Sequence, residues 1–142
     1  MNMSIHDTEE EIIGEFELFD QWDDKYQYLI DLGKSLAPMN DELKTDDRLI
    51  RGCQSRVWLH SELNNGKVEY HADSDAIITK GIVALMVRVL SGHVPKEIVE
   101  AQLPFIDTIG LKEHLSPTRA NGLVAMIKQM KMDALALQAK VS

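Results

Sequence analysis

The sequence predicts an α+β chain, a small antiparallel sheet of about three strands packed against several helices. Three observations carry that expectation. The segment "SRVWLHSEL" at 55–63 roughly alternates and is rich in strand formers, and "NNG" at 64–66 is a hairpin turn because Asn and Gly tolerate positive φ. The stretches on either side place apolar residues at helical spacing. After the hairpin, "DSDAIITKGIVALMVRVLSG" is apolar on nearly every side, as a helix at the centre of a core is.

Taken in order, residues 7–20 align Ile12, Ile13, Phe16 and Phe19 on one helical stripe. Acids fill the other face and crowd the first turn, where they favour the helix dipole. Residues 22–36 repeat the pattern with Trp22, Tyr26, Leu29, Ile30 and Leu36, and Pro38 is expected to stop that helix. Residues 38–47, "PMNDELKTDD", read as a polar loop. "RLIR" at 48–51 is expected as a third, short strand, and "KVEYHAD" at 67–73 as the returning arm of the hairpin.

The β-branched content of 73–92 suits a strand, but its length favours a buried helix over 76–90. Asp73, Ser74 and Asp75 are expected to start that helix, and Ser91–Gly92 to end it. Pro95 opens a short helix in "PKEIVEAQ", and "LPFIDTIGLKEHL" holds about one helical turn. The chain closes on a helix with Ser116 as N-cap and Pro117 as its first residue. Leu123, Met126, Ile127 and Met130 form its buried stripe, with the methionines as core filler rather than ligands.

At 142 residues the chain is expected to be one domain, 1–142, large enough to bury its own core. The longest apolar run, near Ile82–Leu90, is broken by Arg88 and is too short to span a bilayer. The acidic start "MNMSIHDTEEE" does not read as a targeting segment. A single cysteine forms no internal disulfide, and both facts point to a reducing cytoplasm.

The net charge of −8 is uneven: residues 1–47 carry 14 acids and 3 bases, and residues 48–142 carry 9 acids and 12 bases. The acidic half reads either as a solvated helical face or as a surface that steers a basic protein partner. No dense basic cluster offers itself to phosphates, so nucleic acid is not an expected partner, and neither is a membrane.

Cys53 is the residue that asks for a function. It follows Gly52 in an expected loop, with Arg48, Arg51 and Arg56 close in sequence. Glycine there permits a tight turn and a close approach by another backbone. One reading is a small buried hydrophobe. The other is a nucleophile, because nearby positive charge favours the thiolate. A structural zinc site fails on the number of cysteines, and an iron–sulfur scaffold or a dithiol oxidoreductase fails likewise. His60 and His71 can meet across the hairpin, as surface histidines do on facing strands. A Cys–His hydrolase stays open, with no one of the five histidines singled out as the base.

"GCQSRVW" at 52–58, "DSDAIITKGIVALM" at 73–86 and "SPTRANGLVAM" at 116–126 together resemble the SufE family of sulfur-acceptor proteins, including its CsdE branch. "WDDKYQYLIDLGKSL" is similar to that family as well, so the resemblance runs from about residue 10 to about residue 135. Thr118 stands where the family often has serine, and Arg119 is kept.

The resemblance implies a SufE/IscU-like fold and a sulfur carrier. Cys53 takes the terminal sulfur of a persulfide held by a cysteine desulfurase (SufS- or CsdA-like), stimulates that enzyme, and passes sulfur on to an iron–sulfur scaffold. It also implies that pyridoxal phosphate belongs to the partner and that this chain carries no cofactor or metal. Arg51, Gly52, Gln54, Ser55, Arg56, Trp58, Asp75 and Arg119 match the motifs as supporting or docking residues, with Asp75 and Lys80 as structural positions. Gly52 lets the loop bend into a partner's cleft, and the arginines either bias the thiolate, anchor the docked loop or merely solvate it. In the free protein, monomer or homodimer, Cys53 is expected to lie buried against the helix 76–90 and to turn outward on docking. The rival to this accessory role is a self-sufficient cysteine-nucleophile enzyme of the hydrolase kind.

Overall fold

The computed structural model describes residues 3–141, so Met1 and Asn2 of the acidic N-terminal run lie outside the described residues, as does Ser142. The elements run α1 (Ile5–Glu17), α2 (Trp22–Lys34), β1 (Val57–Asn64), β2 (Lys67–Ser74), α3 (Ile77–Leu90), α4 (Pro95–Glu100), α5 (Phe105–Thr108), α6 (Leu111–His114) and α7 (Pro117–Val141). The mixed helix and antiparallel sheet architecture is the one the sequence predicts.

The hairpin is built by its turn. Asn65 (φ 55°) and Gly66 (φ 80°) both take the left-handed conformation, which matches the twist of the paired strands. The register pairs Val57 with Ser74, His60 with His71 and Asn64 with Lys67. Alternation sends Val57, Leu59, Val68, Tyr70 and Ala72 into the core. Trp58, His60, Glu62, Glu69, His71 and Asp73 alternate with them on the opposite, more exposed face.

Helix α3 is the centre of the core. Ile82, Val83, Leu85, Met86, Val89 and Leu90 are all buried. It packs on α2 with the backbones almost touching: a Cβ added at Gly33 would lie 2.9 Å from the Gly81 nitrogen. Helix α1 covers one flank through Ile12 and Phe16, and Arg88 of α3 binds Glu11 and Glu15 across the seam. The buried Glu9 carboxylate accepts the Phe105 N–H at 3.0 Å, which ties α1 to the start of α5. Helix α7 closes the other side, and its Met130 carbonyl accepts a buried hydrogen bond from Tyr70 at 2.7 Å.

Four local expectations change. The third strand at 48–51 does not form. A single-turn helix over Asp46–Arg48 takes its place, and only an isolated bridge from Leu49 to Trp58 continues the pairing, so the sheet has two strands among the described residues. Asp73 and Ser74 belong to β2, and the N-cap of α3 is Ala76, which has no side chain to cap with. The Ser74 hydroxyl accepts the Ala76 N–H instead, at 3.2 Å. The segment 103–115 makes two helical turns, α5 and α6, hinged at Gly110 (φ 72°). Helix α2 ends at Lys34, ahead of Pro38. Among the described residues, no helix is long and apolar enough to cross a membrane.

Candidate functional site

The loop that carries Cys53 is pinched at its base. The Ile50 N–H donates to the Val57 carbonyl at 2.9 Å, and Ile50 is buried, so the chain from 51 to 56 bulges out from a fixed stem. The far end is tied twice to the β2–α3 junction. The Arg56 N–H donates to the Asp75 carboxylate at 3.0 Å, and the Asp75 N–H returns to the Arg56 carbonyl at 3.3 Å. Asp75 thus acts on the loop backbone rather than as a helix cap.

Gly52 turns the loop, with φ at 95°. It also sits tight against α7, since a Cβ there would come within 3.1 Å of the Ala125 Cβ. Glycine satisfies both demands, one conformational and one of space. The turn brings the half-buried Cys53 onto the first turns of α7, where its thiol donates to the Gly122 carbonyl at 3.5 Å. A Cβ at Gly122 would stand 3.6 Å from Sγ, an ordinary contact, so the thiol packs closely on this turn of α7 without requiring glycine there.

Beside the thiol opens a cavity of about 250 Å³. Gln54 and Ser55 line it from the loop, Thr79 and Ile82 from α3, and Ser116, Thr118, Arg119, Leu123 and Met126 from α7 and its cap. The Ser116 hydroxyl accepts the Arg119 N–H at 3.3 Å, which caps α7 and places its first turn at the cavity mouth. Arg119 is the charged residue among the described lining residues.

Burial pushes the Cys53 thiol pKa up. Of the three roles left open for Arg51 and Arg56, this favours docking or solvation of the loop over a bias towards thiolate. Both are exposed and neither lines the cavity. Arg48 is engaged elsewhere, donating to Thr45 Oγ1 at 3.0 Å and to His60 Nδ1 at 3.4 Å. Desolvation therefore governs the resting thiol. The expected packing of Cys53 on 76–90 is corrected too. The thiol is half-buried and rests on α7, while α3 forms part of the cavity wall.

Of the sequence-nominated residues, Cys53, Gln54, Ser55 and Arg119 meet at one cavity, with Gly52 and Asp75 shaping the loop. Arg51, Arg56 and Trp58 lie outside it. Trp58 faces outward on β1, under the Lys44 ammonium at 5.9 Å. Lys80 bridges to Asp73 at 3.3 Å. Sequence reasoning missed Thr79, Gly122 and Ala125. The signal was present for one of them: a glycine inside a helical pattern marks a close approach.

The histidines are partnered elsewhere. His6 faces Glu10, His60 and His71 face Glu62, His93 faces Glu97, and His114 stacks on Trp22 with ring centroids 4.0 Å apart.

A family model, SufE, described as an Fe-S metabolism associated domain, matches residues 10–134. The chain is 43% identical over 114 residues to an "Uncharacterized SufE-like protein" of Synechocystis sp., covering 80% of this chain and 72% of that protein. It is 38% identical over 130 residues to another "Uncharacterized SufE-like protein", of Rhizobium meliloti, covering 88% and 93%. It is also 39% identical over 132 residues to "SufE-like protein 1, chloroplastic/mitochondrial" of Arabidopsis thaliana, covering 92% of this chain and 36% of that longer protein. The solution structure of a hypothetical protein from Thermus thermophilus shares the fold, with a TM-score of 0.77 at 19% identity over 93% of this chain and 96% of that one. With the family model spanning most of the chain and these relatives agreeing with it, the protein belongs to the SufE family, a domain associated with iron–sulfur metabolism.

Proposed function

We propose that the protein is a sulfur acceptor and carrier that takes persulfide sulfur from a cysteine desulfurase onto Cys53. By clearing that product it stimulates the desulfurase, and it then passes the sulfur on for iron–sulfur cluster assembly. The observation that carries this reading is the placement of the one thiol of the chain, on a glycine-turned loop beside a cavity, with its stem anchored at both ends.

The Cys53 thiolate attacks the terminal sulfur of the partner's persulfide. The sulfur–sulfur bond to the partner's cysteine breaks and a new one forms on Cys53. The partner's cysteine leaves as thiolate and takes up the proton that Cys53 gave, so no net oxidation occurs. A cavity of about 250 Å³ has room for the added sulfur, since a water occupies only about 30 Å³ in the liquid. Arg119 on the cavity wall offers a cation to the anionic persulfide.

Burial pushes the resting thiol's pKa up, which disfavours the thiolate until docking changes its surroundings. Pyridoxal phosphate works on the partner in this scheme, and a lone thiol suits a reducing compartment, here the cytoplasm. The placement of the histidines away from Cys53 weighs against a self-sufficient Cys–His hydrolase, which needs its base within hydrogen-bond reach.

The test is to incubate the protein with a desulfurase and sulfur-labelled cysteine. Label should appear on this chain at one sulfur per protein, be released by a thiol reductant, and be absent from Cys53→Ser. Label on the serine variant, or none on the wild type with any desulfurase, overturns the proposal.

A further inference from the structure

The outer face of the hairpin holds four ligand-type side chains that the sulfur chemistry does not use. The antiparallel register sets His60 opposite His71 and Glu62 opposite Glu69. Because strand side chains alternate, all four project from the face turned away from the core. His71 Nε2 lies 3.0 Å from Glu62 Oε1, and His60 Nε2 lies 3.6 Å from Glu62 Oε2. Ligand atoms of Glu62, Glu69 and His71 all fall within 4.8 Å of one another, and the two imidazole centroids are 6.0 Å apart.

We propose that His60, Glu62, Glu69 and His71 form a binding site for one divalent transition-metal cation of the zinc class, bridging β1 and β2.

Four arguments support the assignment. Zinc bonds to nitrogen and oxygen of about 2.0–2.1 Å place tetrahedral ligands about 3.3 Å apart. The His–Glu separations already bracket that edge, and His60, which stands outside the group of three mutually close ligands, must turn its side chain to join them. Two carboxylates directly opposite each other on paired strands repel. Asn64 donates to Glu69 at 2.9 Å, but it brings no charge, whereas a divalent cation neutralises both acids. Two imidazoles with two carboxylates suit zinc, copper or nickel, while magnesium and calcium prefer all-oxygen shells. The tight turn at Asn65–Gly66 holds the strands in register, so the cross-strand pairs are set in advance.

The site has one built-in opponent. Arg48 Nε donates to His60 Nδ1 at 3.4 Å. Ligation through Nε2 puts the imidazole proton on Nδ1, so the Arg48 guanidinium must turn away. Removing it should therefore help the metal.

The test uses tag-free protein and zinc ion alone, read by equilibrium dialysis, with cobalt(II) absorption reporting tetrahedral geometry. One equivalent should bind to the wild type and equally to Cys53→Ser, which separates this site from the thiol. His71→Ala, His60→Ala, Glu62→Gln and Glu69→Gln should each weaken binding by more than about tenfold, the loss that outer-shell changes alone can reach. Arg48→Ala should tighten it. Glu62 and His71 are 48% and 42% exposed, so their replacement leaves the core intact, and circular dichroism checks this. Absence of saturable binding, loss in Cys53→Ser, retention in His71→Ala, or an Arg48→Ala variant that binds no tighter overturns the four-ligand site.

Discussion

The Cys53 thiol donates to the Gly122 carbonyl across 3.5 Å, a contact between residues 69 positions apart. It is the hinge of the functional reading, because it decides how covered the thiol is and which helix covers it. Gly122→Ala tests that relationship. The new Cβ would stand at ordinary contact distance from Sγ, 3.6 Å, so it fits. In a helix interior the change should add about 0.5–1 kcal/mol of stability. It should also slow alkylation of Cys53 by covering the thiol further. Urea unfolding and iodoacetamide labelling read the two effects, and faster labelling would contradict the placement.

The titration of Cys53 follows from its burial. The thiol pKa is raised by desolvation, so alkylation of the free protein should climb only above the ordinary thiol range. Arg51→Gln with Arg56→Gln should leave that profile unchanged, since both side chains are exposed. For stability the sign is fixed: a raised folded-state pKa contributes fully below the unfolded value and is lost as pH rises through the folded one. A labelling midpoint near neutrality that the double variant raises would restore the arginines to a role at the thiol.

Gly52 bears two loads that can be separated. Gly52→Ala should cost about 1–2 kcal/mol through its positive φ, with a further penalty from the Ala125 Cβ at 3.1 Å. Adding Ala125→Gly should recover only the second part, after allowing for the helix cost of the new glycine measured in Ala125→Gly alone. A double-mutant cycle in urea measures the coupling. Zero coupling would show that the loop does not press on α7.

Two helix glycines should respond in opposite ways to the same substitution. Gly14 has nothing within 4 Å of its added Cβ, so Gly14→Ala should stabilise by about 0.5–1 kcal/mol. A Cβ at Gly81 would overlap the Leu29 carbonyl, so Gly81→Ala should destabilise by about 1–3 kcal/mol as α2 is pushed off α3. Comparable melting temperatures for the two variants would contradict the close α2–α3 crossing.

Arg88 holds α3 to α1 through Glu15 and Glu11, and Tyr28 donates to the same Glu15 carboxylate. The Arg88 hydrogen bonds are the largest influence on Glu15 and hold its carboxyl below the usual range, while burial is the largest cause pushing the Tyr28 hydroxyl up to about 12. Arg88→Ala should cost about 1 kcal/mol at neutral pH, a figure reduced by solvent screening. A depressed folded-state pKa contributes stability above the unfolded value of 4.5 and loses it as pH falls through the folded value. The gap between wild type and variant should therefore narrow in acid. A gap that widens below pH 4.5 would contradict the pairing.

What repeats along a segment could be read from the order of residues. Ile12 with Phe16, the alternation around Leu59, the Asn65–Gly66 turn, the buried run of α3 and the Ser116–Pro117 start of α7 were all legible, because each reports one face or one turn of a local element. The lone cysteine and the glycine before it were legible for the same reason. Tertiary structure alone decided the rest. Leu49 makes one bridge instead of a strand, because the chain turns away to form the stem of the Cys53 loop. Thr79 lines the cavity beside the thiol, Gly122 accepts the thiol's hydrogen bond and Ala125 packs against Gly52, all from distant positions, and such contacts leave no periodic trace. The arginines lay near Cys53 in sequence, yet a charge acts through distance and dielectric, and the fold left Arg51 and Arg56 exposed while it buried half of the thiol.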